Sequence, residues 1–96
     1  MQPLDKEQLE QALAETAGWQ LDHEKGEIYR QYQFGNFVEA LAFVNRVGEV
    51  AEQMEHHPDI IIKYNKVQLN LVTHDAGGIT DKDFSLARRA NELAAS

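Results

Sequence analysis

The chain has 96 residues, 43% of them hydrophobic, no cysteine, and a net charge of −7. This composition predicts one folded domain over residues 1–96 and excludes wholesale disorder, a disulfide framework, a thiolate nucleophile and a cysteine metal site. The acidic balance argues against nucleic acid as a direct partner, because phosphate binding needs a basic face.

No apolar run approaches the roughly 20 residues of a membrane span. The N-terminus Met1-Gln2-Pro3-Leu4-Asp5 lacks the basic and apolar regions of a signal peptide, which leads to the expectation of a cytoplasmic protein. A chain this short buries a modest share of its surface, so association would add useful burial.

Taken in order, Asp5 opens a first helix as N-cap, with Gln8 at the third position of a capping box. Leu4 and Leu9 flank the cap at staple spacing; Leu9, Ala12, Leu13 and Thr16 make an inward stripe, and Gly18 suits the stop. From Trp19 to Phe34 the period becomes two, which predicts two strands. His23-Glu24-Lys25-Gly26 between them reads as a hairpin loop, with Gly26 free to take positive φ. His23 is read as a solvent residue, and Trp19, by position alone, as core or rim.

Asn36 caps a second helix that runs to about Glu55, with Glu39 at its third position. Its apolar residues cover about half the circumference, more than one contact requires. Phe37, Leu41, Val44 and Ala51 form one side of that arc; Phe43, Val47, Val50 and Met54 form the other. The expectation is that one side packs on a sheet. The second set then either lies deep inside the same domain or meets another subunit, and a chain this short favours the subunit interface.

Glu52 to Asp75, EQMEHHPDIIIKYNKVQLNLVTHD, holds a second hairpin. A two-residue turn at Asn65-Lys66 sets Tyr64 opposite Val67, Ile62 opposite Leu69 and Ile60 opposite Leu71, so one side is uniformly apolar. Lys63, Gln68, Asn70 and His74 take the other side. Extended past Pro58, which has no N–H to donate, the same ladder sets His57 opposite His74. His56, His57 and His74 thus converge at the open end of the hairpin. Ala76-Gly77-Gly78 is a flexible connection. Thr80 caps the last helix, with Asp83 at its third position and Ile79 and Phe84 at staple spacing. The fold class is α+β: a two-layer sandwich of four antiparallel strands with three helices on one face, in the order α-β-β-α-β-β-α.

Three histidines admit three readings. They can be strand-end residues bonding locally, although three converging from separate segments favour a site. They can hold a metal ion. Against that, His56 and His57 are adjacent and point apart, and no helical His-x-x-x-His spacing supports zinc, so none is expected. They can transfer protons on a bound organic molecule, since imidazole gives or takes a proton near neutral pH. No P-loop or Gly-x-Gly-x-x-Gly competes.

Glu52-x-x-x-His56-His57-Pro58, Tyr64-Asn65-Lys66-Val67 and Thr73-His74-Asp75 together resemble the signature of the pterin-4a-carbinolamine dehydratases. The resemblance continues through Gly18-Trp19, Phe37, Gly77-Gly78 and Asp83. It implies elimination of water from 4a-hydroxytetrahydrobiopterin to give the quinonoid dihydropterin, without a cofactor, in pterin recycling. It implies His56, His74 and His57 as the catalytic set, with His56 and His74 the acid–base pair in an order left open. His57, Glu52, Asp83, Trp19 and Pro58 would surround or orient the pterin. It also implies homodimers and tetramers formed through sheet edges and second helices. Two rivals stay open: a dimerisation cofactor of a transcription factor, a role that a vertebrate relative also fills, and a dehydratase of a pterin in molybdenum-cofactor metabolism.

Overall fold

Local signals set most of the element boundaries. A computed structural model describes residues 2–95, so Met1 and Ser96 of the expected domain lie outside the described residues. Helix α1, Lys6–Ala14, starts at a complete capping box: the Asp5 carboxylate accepts the Gln8 N–H at 2.8 Å, and Gln8 Oε1 accepts the Asp5 N–H at 3.0 Å. Strands β1, Gln20–Asp22, and β2, Glu27–Gln33, follow. The Asp22 carboxylate folds the loop between them by accepting the N–H groups of Glu24 and Lys25, with Gly26 at φ +67.

Helix α2, Phe37–Met54, is capped by Asn36. Strands β3, Asp59–Lys63, and β4, Lys66–Leu71, then lead through a 3₁₀ turn, His74–Ala76, into helix α3, Asp81–Ala95. The element order matches the expectation.

The four strands form one antiparallel sheet in the order β1-β2-β4-β3. Residues opposed across its ladders share a face. One face carries Leu21, Ile28, Tyr32, Val67, Leu69, Leu71, Ile60 and Ile62. Against it pack Ala40, Phe43, Val47, Val50 and Ala51 of α2 and Phe84, Leu86, Ala87 and Ala90 of α3, all buried. Helix α1 joins the same core through half-buried Leu9, Ala12 and Leu13. The opposite face is mostly polar, with Tyr29 and the exposed Ile61 among its residues.

Two expectations are corrected. The second hairpin turns at Tyr64-Asn65, not Asn65-Lys66, so Ile60 faces Leu69 and Ile62 faces Val67. Asn65 is drawn into the turn by β2: its side-chain amide donates to the Phe34 carbonyl at 2.7 Å, and its own carbonyl accepts the Phe34 N–H at 2.8 Å. Tyr64 takes the left-handed conformation instead, at φ +53. The shift is two residues, so the apolar face is preserved, but the ladder starts at Asp59 and never sets His57 against His74.

The sides of α2 are also partly exchanged, although Val44 and Ala51 of the side expected on the sheet do pack on the core. Phe43 and Val47 are fully buried against the sheet, whereas Phe37 (46% exposed), Val38 (74%) and Leu41 (40%) face outward. Arc width showed that α2 had a second face to cover, not which side met the sheet.

Candidate active site

The site forms where α2 ends, β4 ends and α3 begins. Helix α2 closes on Glu55, whose left-handed backbone (φ 53, ψ 40) reverses the chain. The N–H groups of Glu55 and His56 both return to the Ala51 carbonyl, satisfying the last turn. Glycine is the usual residue here, because a side chain costs about 1–2 kcal/mol in this conformation.

The reversal lays His56 against α3. The His56 ring is 10% exposed, and its Nε2 stands 2.5 Å from Asp83 Oδ1. Asp83 is wholly buried, and its Oδ2 accepts the Thr73 hydroxyl at 2.8 Å and the Thr80 N–H at 2.9 Å. Proton positions follow from this network. A carboxylate only accepts, so the Thr73 hydroxyl proton goes to Asp83. The Thr80 hydroxyl, 2.8 Å from Thr73 Oγ1, therefore donates to Thr73 and accepts the Lys82 N–H at 3.2 Å. By the same logic His56 Nε2 carries the hydrogen given to Asp83. Among the described residues no buried side-chain nitrogen or oxygen lacks a partner. Among the described residues His56 Nδ1 has no hydrogen-bond partner, so it is open to the space beside it.

That space is an open cleft of about 250 Å³, lined by Glu55, His56, His57, Val72, Thr73, His74, Asp75 and Lys82. His74 reaches it from the first residue of the 3₁₀ turn, which the Thr73–Gly78 backbone pair closes. The exposed ring of His57 bonds the Glu52 carboxylate. Pro58 is half-buried just ahead of β3, where its missing N–H costs no ladder bond.

The three histidines therefore share one cleft, with Asp83 behind His56 and Glu52 beside His57. Trp19 is not brought to it. Its indole N–H donates to Asn91 Oδ1 at 3.1 Å, about two turns of α3 away from Asp83. Asn91 Oδ1 also accepts from Arg30 at 2.7 Å and from the Tyr32 hydroxyl at 2.5 Å. Burial raises the Tyr32 phenol above its ordinary pKa, against the opposing pull of the Arg30 guanidinium. Gly18 is required beside this cluster: it sits at φ +81, and an added Cβ would stand 2.6 Å from Arg30 Nε.

His23 lies apart from the cleft as well, on a second cavity of about 540 Å³ under α1. Thr73, Thr80, Glu55 and Lys82 were not singled out as site residues in the sequence. Thr80 carried a signal only as a helix cap. Among the described residues no group of three or more His, Asp or Glu side chains stands together as a candidate metal-ligand set.

Residues 2–93 match the family described as Pterin 4 alpha carbinolamine dehydratase. A Thermomicrobium roseum protein assigned by name to the pterin-4-alpha-carbinolamine dehydratases is 51% identical over 94 residues, covering 98% of this chain and 99% of its own. One from Sulfolobus acidocaldarius with the same assignment is 39% identical over 90 residues, covering 94% and 97%.

Among solved structures, a Brucella melitensis protein described as a transcriptional coactivator/pterin dehydratase superposes with a TM-score of 0.93 at 33% identity, over 96% of this chain and 98% of that one. A pterin dehydratase-like protein described as a RuBisCO assembly factor of the alpha-carboxysome shares the fold alone. It superposes with a TM-score of 0.70 at 21% identity, over 82% of this chain and 92% of its own.

Proposed function

This chain belongs to the pterin 4 alpha carbinolamine dehydratase family, a family of hydro-lyases, and we propose on that premise that it dehydrates 4a-hydroxytetrahydrobiopterin by histidine acid–base catalysis. The C4a–O bond breaks, the hydroxyl leaves as water, and the N5–H proton is lost as the C4a=N5 bond forms. The product is the quinonoid dihydropterin, ready for reduction in a recycling pathway.

The observation that carries the reading is the buried Asp83 carboxylate behind His56. It fixes the tautomer so that Nδ1 meets the cleft unprotonated, as a base, and it faces the imidazolium that forms when N5–H is taken. His74, exposed on the same cleft, supplies the proton to the leaving hydroxyl. His57, held by Glu52, orients the ring. Proton exchange with solvent then resets the pair.

Stopped-flow dehydration of freshly generated 4a-hydroxytetrahydropterin tests the assignment. His56→Ala and His74→Ala should each lower kcat, by up to the 10²–10⁴-fold typical of acid–base groups, less where the uncatalysed reaction is fast. His57→Ala should act mainly on KM. Wild-type activity in the His56→Ala/His74→Ala double variant, after background subtraction, would sink the mechanism. The same assay with other pterins, including those of molybdenum-cofactor metabolism, ranks the substrates.

A second reading, self-association through α2, is supported by its outward Phe37, Val38 and Leu41. Single-subunit burial leaves these apolar side chains uncovered.

A further inference from the structure

We infer that Glu55 is a substrate-binding residue whose carboxylate accepts the N–H donors of a 2-amino-4-oxopyrimidine edge, N3–H and the exocyclic amine; the inference rests on the dehydratase reading above.

Three features set Glu55 apart in the free protein. Its backbone is left-handed at φ 53, where glycine would be relaxed. Its negative charge sits at the C-terminal end of α2, whose last turn has no basic residue to offset it. Its carboxylate forms no hydrogen bond or ion pair among the described residues, in contrast to Glu52 one turn earlier, which is occupied by His57.

Among the described residues no side chain pairs with this carboxylate, and the side chain lines the histidine cleft. Local conflicts of this kind collect where a ligand, not the fold, is the beneficiary. The chemistry of the ligand follows from the carboxylate, which takes two adjacent N–H donors as a pair. A pterin presents that pair on its pyrimidine ring, on the edge away from the carbon that loses its hydroxyl. Consecutive Cα atoms are about 3.8 Å apart, so a carboxylate next to His56 falls within the span of one bicyclic ring.

The test uses Glu55→Gly and Glu55→Gln in the otherwise intact protein. Glu55→Gly should raise the melting temperature by relieving the backbone, while raising KM and weakening binding of 7,8-dihydropterin, which cannot be dehydrated. Loss of a charge-assisted bond corresponds to roughly tenfold or more in binding. Glu55→Gln, which keeps the side-chain shape, should weaken binding with kcat nearly unchanged. Wild type should prefer a pterin ring over lumazine, which has a carbonyl in place of the amine, and Glu55→Gln should narrow that preference. If both variants bind dihydropterin and turn over as wild type does, the role of Glu55 is overturned and the dehydratase reading stands. If wild type neither binds pterin nor dehydrates it, both fall.

Discussion

Replacing Asp83 with Asn changes almost no volume, yet it should reverse the proton on His56. The side chain accepts three hydrogen bonds: from His56 at Oδ1, and from the Thr73 hydroxyl and the Thr80 N–H at Oδ2. A hydroxyl can turn around, but a backbone N–H cannot. The oxygen of the new amide must therefore stay on Thr80, which turns its NH₂ toward His56 Nε2. That nitrogen must then accept, which moves the ring proton to Nδ1 and presents a donor to the cleft where a base is needed.

The general-base contribution should vanish, lowering kcat by about 10²–10⁴-fold before any limit set by the uncatalysed reaction. Exchanging charged for neutral acceptors weakens the bonds by about 1 kcal/mol each, against a total stability of about 5–15 kcal/mol, so the protein should stay folded. Stopped-flow kinetics give kcat, and ¹⁵N spectra of the His56 ring report the tautomer. A reversed tautomer with unchanged kcat would refute the assignment of Nδ1 as base.

Leu41→Glu should lower the mass seen by light scattering while leaving the subunit folded, because Leu41 is 40% exposed on α2. Val47→Glu should unfold the chain, since Val47 has no exposure and a buried unpaired charge costs several kcal/mol; a monomeric wild type or a stable Val47→Glu variant would contradict this division of the helix. The raised pKa of Tyr32 means that the folded state holds this proton more tightly than the unfolded state. Its contribution is intact below the ordinary tyrosine value near 10 and is lost as pH rises through the folded value, so Tyr32→Phe should flatten the alkaline loss of stability in denaturant titrations. Treatment with a chelator should leave dehydration unchanged, and elemental analysis should find no stoichiometric metal; an inactive form rescued by zinc would restore a metal role for the histidines.

Much of this arrangement was legible in the chain because alternation and capping are local. The parity of Ile60, Ile62, Val67, Leu69 and Leu71 fixed the buried face of the second hairpin even though its turn was misplaced by a residue. The turn was misread because left-handed backbone favours Asn over Tyr, and only the distant Phe34 explains why Asn65 yields that position to Tyr64. The gathering of the histidines was legible for a related reason: all three lie just outside the strands. Their mutual geometry was not. His56 is held by Asp83, 27 residues later in the chain, and no periodicity encodes that contact. Thr73 was invisible as a site residue, since a threonine beside a strand end carries no signal until α3 brings Asp83 to it.

The middle of the sheet has a consequence for how the chain folds. Strands β2 and β4 are not a hairpin; their pairs run from Gln33 with Lys66, 33 positions apart, to Ile28 with Leu71, 43 apart. The outer pairs close over short loops and can zip within about 1–10 μs, whereas the central pair must first meet the entropy of a long closure. Helix α2 occupies much of that span, and at about 1.5 Å per residue it converts 18 flexible residues into a rod of roughly 27 Å. Docking of the two preformed hairpins across this rod is then the slow step. The cleft residues, Glu55 to Asp83, flank the second hairpin alone, so its closure already gathers the histidines, and the later docking packs α2 and α3 together and fixes Asp83 behind His56.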